Sequence, residues 1–235
     1  MRWPASLLLL ASLASCSAIR AGEPRFTVVT VDPLRERLQL FLNDEQGRPY
    51  KRLEKVAAAV AKRGQRLAFG MNAGMYHADY SPVGLFVADG IERSPLNLSA
   101  GEGNFFMRPN GVLLANEAGV QVVESSEYPA LSATARLATQ SGPMLLSRGA
   151  INPLFIPDSS SRHIRNGVCA IDGKALFVIS EDPVNFYEFA RYFRDTLKCR
   201  DALYLDGSVS ALYSLALGRN DSRANLGPII GTVAN

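Results

Sequence analysis

The residues with the most chemistry in this chain are carboxylates and arginines set among small polar residues. Asp206 lies in YLDGSVSALY (204–213), between an apolar strand-like run and a Gly-Ser turn. An acid there is either a turn former or a reactive group at the carboxyl end of a buried strand, where open sheets tend to place their chemistry. Glu181 in SEDPVN and Asp79 in the long loop 71–84 are the other acids in such places, with Arg162 and Arg165 in SSRHIRNG as the cations. Arginine matches a phosphate or carboxylate through parallel hydrogen bonds, and two carboxylates about one sugar carbon are the usual apparatus for cutting a glycosidic bond. Against that reading, Glu181 just ahead of a helical segment also fits an N-terminal cap.

Other chemistries lack their residues. The chain has only two histidines, His77 and His163, and no His or Cys pair at ligand spacing, so no zinc or iron site is expected, while a divalent cation among the carboxylates stays open. It has neither a glycine-rich phosphate loop nor a G-x-S-x-G elbow, and no cofactor is implied. The net charge of +3 over 235 residues is small and scattered, which excludes a basic nucleic-acid face.

The elements that must position these groups can be read from periodicity. FTVVTV (26–31) and RLQLFL (37–42) read as neighbouring strands, and YKRLEKVAAAVAKRG as a helix stopped by Gly64. RLAFGMN is a buried strand ending at Asn72. Hairpins are expected at Asp89-Gly90, in GPMLLSRGAI and at Asp172-Gly173. NGVLLANEAGVQVVES adds two strands, and the longest helix is expected over PVNFYEFARYFRDTLKC with Pro183 at its start. ALYLDG and SALYSLAL close the pattern. With 47% hydrophobic residues and no internal linker, this is one α+β domain, a mixed sheet with a few packed helices. Six polar segments fall where strands run out: 71–84, 101–112, 138–143, 160–167, 180–185 and 205–210. Each alone reads as a turn; together they argue for one shared mouth.

The first residues, MRWPASLLLLASLASCSAIR, combine Arg2, a short apolar run and small residues, the pattern of a secretory signal. LASC (13–16) resembles a bacterial lipobox. It implies a signal peptide over 1–15, a lipidated Cys16, a tether over 16–25 and a periplasmic domain over 26–235, held to the outer membrane by the lipid alone. The alternative is an ordinary signal cut near Ala18 or Ala21. Cys169 and Cys199 then remain, either as a disulfide or as two small buried hydrophobes.

NAGMYHADYSPVGL, GNFFMRPNGV, TQSGPMLL, RNGVCA and FARYFRDTLKCRDALYLDGSVSALY, in this order, resemble the phosphodiester glycosidase (NAGPA-domain) family in its bacterial branch. The match covers nearly the whole chain from Phe26. By that resemblance Asn72, Gly74, Arg165, Asp206, Gly207 and Ser210 occupy the family's motif positions, while Ala73, Ser208 and Val209 depart from its pattern. The resemblance implies a hydrolase acting on a sugar 1-phosphodiester or related envelope glycoside. In it Arg165, with Arg162 or His163, clamps phosphate. Asp206 serves the anomeric carbon or its attacking water, and Glu181 is the second carboxylate. Asn72, Gly74, His77, Gln140, Ser141, Gly207 and Ser210 line the sugar. The substrate partner is a carbohydrate or sugar phosphate. A different class of reading is a silent polysaccharide-binding lipoprotein using the same mouth; hydrolysis of an ordinary glycoside is a third.

Overall fold

The computed structural model describes residues 23–205, 209–222 and 224–234. The signal-peptide and lipidation readings, Cys16 included, fall on residues outside these, as do Asp206, Gly207 and Ser208.

In chain order the strands and helices are β1 (Phe26–Val31), β2 (Arg37–Phe41), α1 (Leu53–Ala61), β3 (Arg66–Asn72), β4 (Phe86–Ala88), β5 (Ile91–Ser94), β6 (Gly111–Asn116) and β7 (Gly119–Glu124). They continue with β8 (Leu137–Ser141), β9 (Met144–Ser147), β10 (Ala150–Ile151), β11 (Asn166–Ile171), β12 (Lys174–Ser180), α2 (Phe186–Arg191), β13 (Ala202–Tyr204), β14 (Leu212–Ser214), β15 (Arg219–Asn220) and β16 (Ile229–Ala234). They form three sheets: a first of order β1-β12-β11-β13-β9-β10, a second of order β15-β14-β3-β16-β2, and a third of order β5-β4-β8-β6-β7. The class is α+β in one domain. Every described pairing is antiparallel, where the sequence reading expects a mixed sheet.

The three sheets share one core. Alternation along β12 shows how: Ala175, Phe177 and Ile179 enter the central cluster with Phe69, Met71 and Leu113 from the other two sheets, while Val178 faces the opposite way. The outer face of the first sheet is covered by Phe189 and Ala190 of α2 and by Phe193 in the turn that follows it. α1 covers the second through Leu53, Val56 and Val60, which fall on one helical face.

Three local expectations are met in detail. The hairpins at Asp89-Gly90, Arg148-Gly149 and Asp172-Gly173 all carry positive φ at both turn residues, the geometry that matches strand twist. Three others are corrected. β1 and β2 are not neighbours: β1 pairs with β12 and β2 with β16, two partners distant in sequence. The long helix starts at its N-cap Asn185 rather than at Pro183, because Val184 still exchanges both backbone hydrogen bonds with His163 in an extended bridge. Asn185 and Glu188 then cap each other reciprocally. The helix also does not run on regularly; after Arg191 it relaxes into a π turn over Tyr192–Thr196. Cys199 follows that turn and forms a disulfide with Cys169 of β11. β8 and β16, both interior strands of their sheets, were not foreseen from the sequence.

Candidate functional site

The second strand ends at the mouth carry a small lattice of buried amides. Asn72 closes β3 and Asn166 opens β11, so the lattice joins the second sheet to the first. Asn72 Nδ2 donates to Asn166 Oδ1 at 3.1 Å, and Asn166 Nδ2 donates back to the Asn72 carbonyl at 3.1 Å. Asn72 Oδ1 accepts the amide of Ala211 at 2.9 Å. Ser210 Oγ donates toward Asn166 Oδ1 and the Ile164 carbonyl, each at 3.1 Å. Both asparagines are almost fully buried, at 1% and 0% exposure, so each unmade bond would carry a desolvation penalty.

This lattice and its neighbours grip both sides of the segment that carries Asp206. Ahead of it, the Leu205 amide donates to the Asn166 carbonyl and the Leu205 carbonyl accepts Ser141 Oγ at 3.1 Å. Behind it stand Ser210 and Ala211, held as above. Asp206 and Gly207 themselves lie outside the described residues.

The third sheet meets the same place. Thr139 Oγ1 donates to the Ala73 carbonyl, and Gly74 packs so closely that an added Cβ would lie 3.0 Å from both Gln140 O and Thr139 Oγ1. A glycine there is favoured by space, not by φ. Gln140 is buried and fully engaged: Oε1 accepts the amides of Leu85 and Asn97, and Nε2 donates to Asn97 O and Ser125 Oγ. Its side chain therefore braces the loops of the mouth. His77 and His163 are exposed, each tied through its backbone, to Ser81 and Val184 respectively. Asp79 is likewise exposed, with its carboxyl held below the usual range by hydrogen bonds from the Ser81 hydroxyl and amide.

Arg165 is only 1% exposed. Its guanidinium lies 3.9 Å from the centre of the Phe186 ring and donates to Val184 O, Ser161 O and Tyr204 Oη. Desolvation lowers its pKa, and the Tyr204 contact only partly offsets this. All three acceptors are neutral, so its charge faces no carboxylate among the described residues. Arg162, by contrast, is spent on an ion pair of 2.8 Å with Glu188.

Glu181 stands at the edge where the first and second sheets meet. Its Oε1 accepts Thr27 Oγ1 at 2.6 Å and is paired with Arg219, whose guanidinium also reaches Asp221 at 2.9 Å. Asp221 in turn accepts the Leu212 amide at 3.0 Å, next to the residue that Asn72 holds. Burial would lower the Arg219 pKa, but hydrogen bonds to Asp221 and Glu181 outweigh it and the value is raised. Sequence reasoning missed Asn166, Arg219 and Asp221. Asn166 sits inside a motif already noted, RNGVCA; nothing local marks RND at 219–221 as a partner of Glu181. Among the described residues no three of His, Cys, Asp and Glu gather where they could hold a metal.

Residues 65–229, which contain this whole arrangement apart from Thr27, match the family model for phosphodiester glycosidase. The chain belongs to the phosphodiester glycosidase family. Its relative in Escherichia coli (strain K12), the uncharacterized protein YigE, is 38% identical over 195 residues, covering 82% of this chain and 76% of that protein. The fold is also that of the zebrafish N-acetylglucosamine-1-phosphodiester alpha-N-acetylglucosaminidase catalytic domain, solved in a form auto-inhibited by its pro-peptide. That likeness has a TM-score of 0.60 at 13% identity, over 94% of this chain and 86% of that one. A hypothetical protein from Synechocystis matches with a TM-score of 0.55 at 14% identity, over 92% of this chain and 61% of that one. As a phosphodiester glycosidase family member, this chain carries the framework of a glycosidase-type hydrolase.

Proposed function

We propose that this protein hydrolyses the glycosidic bond of a sugar 1-phosphodiester or a closely related envelope glycoside, with Asp206 as the reacting carboxylate. The observation that carries the reading is the buried Asn72–Asn166–Ser210 lattice, which with Ser141 holds both flanks of the Asp206 segment at the meeting point of three sheets. Such bracing is what a group needs if it is to act from one position.

A phosphodiester leaving group departs as an already stable anion, so a strong general acid is less necessary than for an ordinary glycoside. Glu181 suits that demand. Its carboxylate, held in place by Arg219, can stabilise positive charge developing on the sugar rather than deliver a proton. Arg165, buried and facing only neutral oxygens, supplies positive potential beneath the mouth. A direct clamp on phosphate would require it to leave those oxygens. Asp206→Asn tests the assignment. Turnover of sugar 1-phosphodiesters should fall at least about a hundredfold, with an unchanged melting curve; an unchanged rate would defeat it. If the unaltered protein cleaves neither sugar 1-phosphodiesters nor aryl glycosides but binds polysaccharide, the silent lipoprotein reading, favoured by the departures at Ala73, Ser208 and Val209, takes its place.

The envelope location belongs to the same proposal. LASC ahead of Ser17 calls for a mature chain beginning at acylated Cys16, and the Cys169–Cys199 disulfide suits an oxidising compartment. Mass spectrometry of the membrane fraction should find diacylglyceryl Cys16; an unmodified terminus at a later residue would refute the anchor.

A further inference from the structure

The third sheet carries, at the same end as the mouth, a second feature that the hydrolase reading leaves unused. An open cavity of about 390 Å3 lies where β6 begins and β7 ends, lined by Arg108, Pro109, Asn110, Glu124, Ser125 and Ser126. That volume falls in the range of about 300–1,000 Å3 typical of small-molecule sites. Its place relative to the mouth follows from strand register. Ser141, which holds the Leu205 carbonyl, pairs across with Gly111, and Gly111 pairs with Glu124. Two strand spacings, about 10 Å, therefore separate the gripped segment from the cavity wall. The two are also joined by hydrogen bonds, since Gln140 Nε2 donates to Ser125 Oγ at 3.0 Å and the Ser125 amide donates to Asn110 O at 3.0 Å.

Its walls are suited to one kind of ligand. Arg108 Nη2 donates to the carbonyls of Leu98 and Ser99 at 2.7 and 2.8 Å, and Nη1 donates to Asn110 Oδ1 at 2.8 Å. These acceptors fix the guanidinium in place without neutralising it, and among the described residues no carboxylate lies within ion-pair distance of it. Arg148, on the neighbouring turn, is instead paired with Glu127 at 2.7 Å. A fixed, uncompensated guanidinium with N–H groups to spare is an oxyanion receptor. On the same wall, Glu124 uses one oxygen to accept Ser147 Oγ at 2.7 Å, which leaves the other for a ligand hydroxyl, and the exposed Ser126 hydroxyl adds a further polar contact; Ser125 is buried and its Oγ is held by Gln140. One cation for an anionic substituent, with a carboxylate and a hydroxyl for a polyol, describes a sugar that carries an acid group.

We propose that this cavity is a second carbohydrate subsite for an acidic sugar, its oxyanion on Arg108 and its hydroxyls on Glu124 and Ser126. Its role as the place for the unit next to the scissile bond rests on the hydrolase reading; its ligand chemistry does not. The test is a titration of the purified full-length protein with glucuronic acid, glucose 6-phosphate and neutral glucose, followed through the backbone amide signals of residues 124–126. The acidic sugars should shift those signals and bind at least tenfold more tightly than glucose. The stronger of the two acids identifies carboxylate or phosphate as the preferred group. Arg108→Gln should weaken acidic sugars at least tenfold. Ser126→Phe, which fills the cavity while leaving the Arg108 contacts to Leu98, Ser99 and Asn110 in place, should do the same and decides the matter if Arg108→Gln does not fold. Glucose binding as well as the acids, or shifts that persist in Ser126→Phe, would overturn the subsite. A protein that hydrolyses nothing yet loses acidic sugar in both variants sinks the hydrolase reading and keeps the subsite. One that cleaves sugar 1-phosphodiesters but binds acidic sugar equally well in both variants does the reverse.

Discussion

Two joints tie the first sheet to the second, and they are made of opposite materials. The inner joint is Asn72, Asn166 and Ser210, neutral groups whose two amides are at most 1% exposed. The outer joint, at the sheet edges, is Glu181, Arg219 and Asp221, with side chains 30%, 23% and 26% exposed. Depth explains the choice. Burying an ion pair completely costs several kcal/mol per ion before attraction returns any of it, whereas an amide pair that satisfies itself costs little to bury. Near solvent the same ions keep part of their hydration and can be used. The inner joint therefore holds Ser210 and Ala211 without any titrating group of its own, while the outer one supplies a charge pattern that salt can weaken.

The largest effect on this contrast should come from Asn166→Ala. It removes the acceptor for Asn72 Nδ2 and Ser210 Oγ and the donor to the Asn72 carbonyl, leaving buried polar atoms unpaired. A loss of about 2–4 kcal/mol in urea unfolding is expected, the same at low and high salt; a loss under about 1 kcal/mol would show that the inner joint is not what holds the sheets together. Arg219→Gln should cost less, about 1–2 kcal/mol. That cost should shrink in molar salt, where screening acts over about 3 Å. Salt independence would mean that Arg219 works through packing and erase the distinction between the joints.

The smallest effect concerns carboxylates in neither joint. Asp195 is held down to about 2 by the Arg194 hydrogen bond first and the Arg191 contact after it, and Asp182 is lowered by Arg25. Their folded pKa values lie below the ordinary 3.8, so the stability they add is complete above that value and is lost only as pH falls through the lowered ones. The melting temperature should accordingly stay level from about pH 8 to 5 and decline slightly between about 4 and 2. A fall beginning above pH 5 would overturn the assignment of the acid limb to Asp195 and Asp182.

Legibility divided along similar lines. Each hairpin with an Asp-Gly turn was readable because strand, turn and strand lie within a dozen residues and the turn demands positive φ. The helix over 53–61 was readable from its apolar face. β8 was not, because ATQS reads as a polar loop until Leu85, Asn97 and Leu205 arrive to bond with it. The polar strand ends were expected to gather, and Asn72, Ser141 and Ser210 do come together through hydrogen bonds at the two flanks of residues 206–208.

By itself the sequence determined the family, the α+β class, the local turns and the residues capable of chemistry, because these depend on short-range periodicity, turn stereochemistry and side-chain type. Only the tertiary structure decided that Asn166 locks onto Asn72, that Arg165 is buried among neutral oxygens, that Glu181 is claimed by Arg219, and that Cys169 meets Cys199. The partners in these contacts stand 94, 19, 38 and 30 residues apart. What brings them together is the burial of one core shared by three sheets, and no local pattern in the chain encodes which distant strand end will supply the matching hydrogen bond.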